Sequence, residues 1–117
     1  MRILCLDKPA SGATLEQYAP HLTAEAFHAW GLYKSGVLRD IYYRQDRPGV
    51  AIFLECDSVE QAQNILADLP LAKAGLLRFD CIPLCAFTNW ESLFAADYKP
   101  GSRTRSNDPA LVNAKRC

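Results

Sequence analysis

The chain has 117 residues, half of them hydrophobic and 22% charged, which is the composition of one folded domain and excludes a disordered chain. Thirteen basic residues balance thirteen acidic ones, so no overall basic field argues for nucleic acid. No apolar run approaches the roughly 18–20 residues of a membrane span, and the opening MRILCLDKPASG carries Asp7 and breaks at Pro9, unlike a signal peptide. The expectation is a cytoplasmic domain with no nucleic-acid and no membrane partner.

Residues 2–6, RILCL, read as a first strand ended by Asp7-Lys8-Pro9. Residues 10–12 form a loop. From Thr14 to Ser35 the residues Leu15, Tyr18, Leu22, Ala26, Ala29 and Tyr33 recur at steps of three and four, a helical stripe. Pro20 does not fit a helix interior, so it is placed in the first turn of the main helix, after a loose turn over residues 14–19. Gly36 closes that helix.

Residues 37–44, VLRDIYYR, are β-branched and aromatic and predict a second strand; QDRPG over 45–49 is a turn. Residues 50–56, VAIFLEC, are the most apolar strand and complete a hairpin with the second. Ser58 caps a helix whose Val59, Ala62, Ile65, Leu66 and Leu69 share a face, and Pro70 ends it. Residues 76–84, LLRFDCIPL, predict a fourth strand, with Pro83 marking its end or an edge. Thr88-Asn89-Trp90-Glu91 fits a capping box, so a short terminal helix is expected over residues 89–96.

The neutral total conceals a division. Residues 98–117 carry five basic residues against Asp108, or +4, while residues 1–97 carry eight basic and twelve acidic residues, or −4. The tail is rich in Gly, Ser, Asn and Pro and aperiodic, so it is read as a flexible basic appendage to a folded domain over residues 1–97. The cysteine count is odd, at five, with no CxxC pair. Cys5, Cys56, Cys81 and Cys85 lie in apolar stretches and are read as buried structural thiols, leaving Cys117 as the reactive one.

The order β-α-β-β-α-β is that of the ferredoxin-like α+β fold. A sheet with helices on one face should alternate apolar and polar residues, yet residues 50–54 are apolar throughout and the first strand is apolar on both faces. The second face therefore needs cover. A homodimer, or a higher homo-oligomer built on it, supplies that cover by stacking two sheets.

No glycine-rich phosphate loop, serine nucleophile elbow or zinc spacing is present, so neither a cofactor nor a metal is expected. The best candidate chemistry lies on the first helix, where His21, Glu25 and His28 share a face at i, i+4 and i+7. A carboxylate beside imidazoles suits a general base, because neighbours and burial tune its pKa. His28, Tyr42, Tyr43 and Arg78 are candidate substrate-binding residues, since Tyr or Arg on a cavity wall can hold a carboxylate. The alternative is a solvated helix face and ordinary strand packing.

With these elements in place the chain resembles the muconolactone isomerase family of dimeric α/β-barrel proteins. The likeness runs through about residues 2–85 and rests on Gly36, Asp57-Ser58, Asp68-Leu69-Pro70-Leu71 and Pro83-Leu84. It implies a cofactor-independent isomerase or lyase that moves a proton on a small lactone or cyclic carboxylic acid. The family's helix-one glutamate, eleven residues before the helix-ending glycine, falls on Glu25. The position where the family carries His or Asn, at the start of strand three, holds Val50 here. That difference favours a second reading, a non-catalytic oligomeric module that binds a small molecule; a third reading is a cofactorless monooxygenase of the same superfamily.

Overall fold

The computed structural model describes residues 1–95 and 98–101. Four strands form one antiparallel sheet: β1 Arg2–Pro9, β2 Leu38–Tyr43, β3 Val50–Glu55 and β4 Leu77–Leu84, in the spatial order β2-β3-β1-β4. Helices α1 Leu15–Tyr18 and α2 Leu22–Lys34, joined by a 3₁₀ turn Ala19–His21, follow β1; α3 Val59–Ala67 and α4 Pro70–Lys73 follow β3. This is the expected ferredoxin-like α+β arrangement. The two most apolar strands, β1 and β3, take the centre of the sheet, where both edges of each are paired. Among the described residues no helix is long and apolar enough to cross a membrane.

Strand alternation separates the two faces of the sheet. Ile3, Cys5, Ile52 and Leu54 point to the helices and join Leu38, Ala62, Leu66 and Leu69 in the buried core. Ser58 accepts the backbone N–H of Gln61 at 3.0 Å and starts α3, which places Ala62 and Leu66 against the sheet as the period predicts. On the opposite face the cross-strand register lines up Leu4 with Phe53 and Ile82, and Arg2 with Leu84. Leu4 and Phe53 are half-buried; Ile82 and Leu84 are exposed.

Local boundaries differ from expectation in four places. β1 continues to Pro9 because its end pairs with β4 alone, through Lys8↔Arg78 and Pro9↔Leu77, where a missing proline N–H is tolerated. The loose turn expected over residues 14–19 is instead α1 and the start of the 3₁₀ turn. Thr14 and Gln17 form a reciprocal capping box there, with Gln17 Oε1 accepting the Thr14 N–H at 2.9 Å. Pro70 opens α4 rather than only ending α3. The expected terminal helix is a 3₁₀ helix, Thr88–Phe94, with Thr88 inside it instead of capping it; Ala96 lies outside the described residues.

The helical stripe of residues 15–33 is the main correction. Leu15, Leu22 and Tyr33 are exposed, as are Phe27 and Trp30, and Trp30 stacks on Tyr33 with ring centroids 5.5 Å apart. Only Ala29 and Leu32 of α2 pack on the core. The side of α2 that faces inward also carries Glu25 and His28, both partly buried. Periodicity identified residues that share a face, but not which face the sheet covers.

The chain divides into two units at Leu84 and Cys85. The sheet and its helices form the first, Met1–Leu84. The described part of the second contains the 3₁₀ helix, where Phe87 and Trp90 pack edge to face with centroids 5.2 Å apart. Of the expected tail, residues 102–117 lie outside the described residues, and Cys117 with them. Cys5 is buried and Cys56 and Cys81 are partly buried, all three as free thiols; burial pushes the Cys5 thiol well up from its ordinary range. Cys85 is exposed, against expectation, because the chain has already left β4.

Candidate functional site

Glu25 sits on the inward side of α2 and reaches α4. Its Oε1 accepts the backbone N–H of Leu71 at 2.9 Å. Leu71 is buried and follows Pro70, which has no N–H, so the Leu71 N–H is the first donor of α4. Glu25 Oε2 has no partner among the described residues. One oxygen is therefore anchored, and the other carries no hydrogen bond among the described residues.

The electrostatics of Glu25 fit a base. Desolvation raises its pKa above the ordinary glutamate value and is the largest influence. The Leu71 N–H, His28 and His21 oppose it, in that order. The structure thus brings together the three residues whose spacing placed them on one helix face.

A backbone relay extends this site toward the sheet. Leu71 C=O accepts the N–H of Leu76 at 3.0 Å, and Leu76 C=O accepts both the Ala10 N–H at 2.8 Å and the Tyr18 hydroxyl at 3.3 Å. Burial is the largest influence on the Tyr18 phenol and raises its pKa; Asp7 and Glu25 raise it further and Arg47 lowers it. Tyr18 is therefore a neutral donor at physiological pH, within electrostatic reach of all three charges.

Asp7 is the one charged residue buried among the described residues, at 3% exposure. It continues the inward phase of Ile3 and Cys5 on β1. Arg47, in the turn between β2 and β3, donates from Nη1 to Asp7 Oδ1 at 3.3 Å and from Nη2 to the Asp7 carbonyl. Gly49 permits this approach: a Cβ there would overlap the Asp7 carboxylate and Arg47 Nη1, and its φ of 151° disfavours a side chain in any case. Sequence reading missed Asp7, Tyr18 and Arg47. The signal for Asp7 was its place two residues after Cys5 on a strand whose alternate residues are buried.

The other predicted site residues are elsewhere. Tyr42 pairs with Ala51 on the face away from the helices. Tyr43 pairs with Val50 at the end of the edge strand β2 and is 90% exposed. Arg78 lies on the opposite edge strand and lines a groove of about 310 Å³ with Gln63, Leu66, Ala72, Leu77 and Phe79. Glu25 and His28 share α2, and His28 acts on the Glu25 charge; Tyr42, Tyr43 and Arg78 stand on strands and make no hydrogen bond to either. Among the described residues no group of three or more His, Cys, Asp or Glu could hold a metal ion.

No protein-family model and no curated protein matches the chain. It is similar to the solved structure of a 5-chloro-2-hydroxyhydroquinone dehydrochlorinase, TftG, from Burkholderia phenoliruptrix AC1100, in complex with 2,5-dihydroxybenzoquinone. The TM-score is 0.61 at 16% sequence identity, covering 75% of this chain and 97% of that one. The likeness shows the fold.

Proposed function

We propose that the protein is a cofactor-independent isomerase or lyase that abstracts a proton from a small lactone or cyclic carboxylic acid, with Glu25 as the base. The observation that carries this reading is the half-buried Glu25 carboxylate, tethered through Oε1 to Leu71 and without a hydrogen bond at Oε2 among the described residues. Its similarity in fold to a dehydrochlorinase and its resemblance to the muconolactone isomerase family support the same class of chemistry.

The step is a proton transfer. Oε2 takes the hydrogen from a carbon next to a carbonyl; the C–H electron pair forms a C=C bond to the carbonyl carbon while the C=O π pair moves onto oxygen, giving an enolate whose extra electron pair drives the second half of the reaction. In a lyase that pair expels a leaving group such as chloride, which departs with the electrons of its own bond. In an isomerase the protonated Glu25 returns the proton at a different carbon. A base whose pKa lies nearer to neutrality gains in proton affinity without losing its ionised form. In this reading the working unit is a cytoplasmic homodimer joined through the sheet face that carries Leu4, Phe53 and Ile82.

The pH profile tests the base directly. Activity on a chlorinated hydroxyhydroquinone or an unsaturated dicarboxylic-acid lactone should fall as pH drops through the raised Glu25 pKa, because only the ionised form accepts a proton. Its acid limb should lie above the ordinary glutamate value. His28→Ala should move that limb to still higher pH, since His28 now lowers the pKa of Glu25. An acid limb that stays in place in His28→Ala would contradict this electrostatic assignment.

A binding module is the second reading. Val50 packs partly buried against the core and supplies no polar group to the site. Saturable binding of both compound classes with turnover of neither would favour it.

A further inference from the structure

Arg47 has unused donors pointing to a function beyond the hairpin. A guanidinium has five N–H groups. Arg47 spends three, on Asp7 Oδ1, the Asp7 carbonyl and the Pro48 carbonyl. Nε–H and one Nη2–H have no partner among the described residues. These two hydrogens form the parallel side fork that matches a carboxylate or a pair of enolate oxygens. Arg44, in the same turn region, differs: its Nε and Nη2 donate to Asp46 at 2.9 and 2.6 Å, so its fork is filled.

Arg47 is also fixed in place. Asp7 holds it from below the turn, and the absence of a side chain at Gly49 leaves room for the pair. The side chain of Arg47 remains about one-third exposed while its partner Asp7 is almost fully buried. A preset cation with an open fork thus sits on Asp7, three residues before Ala10 along the same chain; the Ala10 N–H and the Tyr18 hydroxyl share the Leu76 carbonyl, and Leu76 is joined through Leu71 to Glu25.

We infer that Arg47, oriented by Asp7, is the anion anchor of the Glu25 site and binds a substrate carboxylate or enolate through its Nε–H and Nη2–H fork. This inference rests on the Glu25 reading for its catalytic meaning, and it specifies the substrate class as an anionic small molecule. Asp7 is a positioning residue that acts through Arg47. An anchored anion would hold the substrate so that its acidic C–H meets Oε2, and binding at the cation would stabilise the negative charge that proton abstraction creates.

The test uses 2,5-dihydroxybenzoquinone, whose ring hydroxyls are acidic, and its dimethyl ether, which has no acidic oxygen. Arg47→Gln should weaken the dihydroxy compound by roughly 10- to 100-fold, the worth of a charge-assisted bidentate contact. It should leave the dimethyl ether within about threefold, a range smaller than one ordinary hydrogen bond. Arg47→Lys should not restore binding fully, because an ammonium has no fork. Since Arg47→Gln strands a buried carboxylate, the double variant Asp7→Asn with Arg47→Gln serves as the folded control and should show the same selective loss.

Equal weakening of both compounds would assign Arg47 a structural role and overturn the inference. Unchanged binding of the dihydroxy compound in the folded double variant would also overturn it. Selective loss in Arg47→Gln combined with full turnover in Glu25→Gln would keep the anchor and reject the base. Loss of turnover in Glu25→Gln with unchanged anion binding in Arg47→Gln would do the reverse.

Discussion

Glu25→Gln should lower kcat by roughly 10²- to 10⁴-fold, the usual contribution of a positioned general base, with KM close to that of the native protein. Glutamine has the same shape, and its carbonyl oxygen can still accept the Leu71 N–H that Glu25 now accepts at 2.9 Å. The stability readout should move the other way. Burial raises the folded pKa of Glu25, so its ionised form costs the fold stability once pH exceeds the unfolded value. That cost persists at neutral and higher pH and disappears as pH falls through the folded pKa. Glu25→Gln should therefore unfold at the same temperature as the native protein or a higher one at pH 8. A variant that lost both activity and stability would mark Glu25 as a structural residue.

Phe53→Asp should convert a homodimer into monomers. Phe53 lies near the middle of the sheet face opposite the helices, paired with Leu4 on one side and Asp40 on the other. Leu6, Ala51 and Ile82 share that face. In a symmetric dimer the patch meets its own copy, so each introduced carboxylate enters a desolvated contact without a partner. A cost of about 3 kcal/mol corresponds to a loss of roughly 100-fold in dimer affinity. Sedimentation at micromolar concentration should show a dimer for the native chain and a monomer for Phe53→Asp. A native chain that sediments as a monomer would contradict the argument from its two-faced apolar strands.

The fold was legible because its strands and α3 follow elementary periods. Residues 50–54 are apolar throughout, and they form a central strand; Ser58 stands where a cap is needed, and α3 starts there. α2 was located but its orientation was not. Leu22, Ala26 and Tyr33 of its apolar stripe are exposed and only Ala29 packs on the core, while Glu25 and His28 are partly buried. A sequence period reports which residues are coplanar, and only tertiary packing decides what covers them. An apolar face left outward with carboxylate and imidazoles turned inward departs from the usual amphipathic pattern.

Of the candidate site, the proximity of Glu25 and His28 was legible because one helix carries both. Asp7, Tyr18 and Arg47 come from a strand, a short helix and a turn, and no spacing in the chain links them. Gly49 looked like an ordinary turn glycine after Pro48. Its further requirement, room for the Asp7 and Arg47 pair, exists only in three dimensions. Tyr42 and Tyr43 lie on the edge strand β2 and Arg78 on β4, none on the helix that carries Glu25.

Proton abstraction by Glu25 leaves a trace that product formation does not. Incubation in D₂O with an unsaturated dicarboxylic-acid lactone, followed by proton NMR, measures exchange of the acidic C–H with solvent. Enzyme-dependent loss of that single resonance in the native protein, slowed to the uncatalysed rate in Glu25→Gln, is the predicted result. Exchange or turnover that continues at the native rate in a folded Glu25→Gln would contradict the assignment of the base.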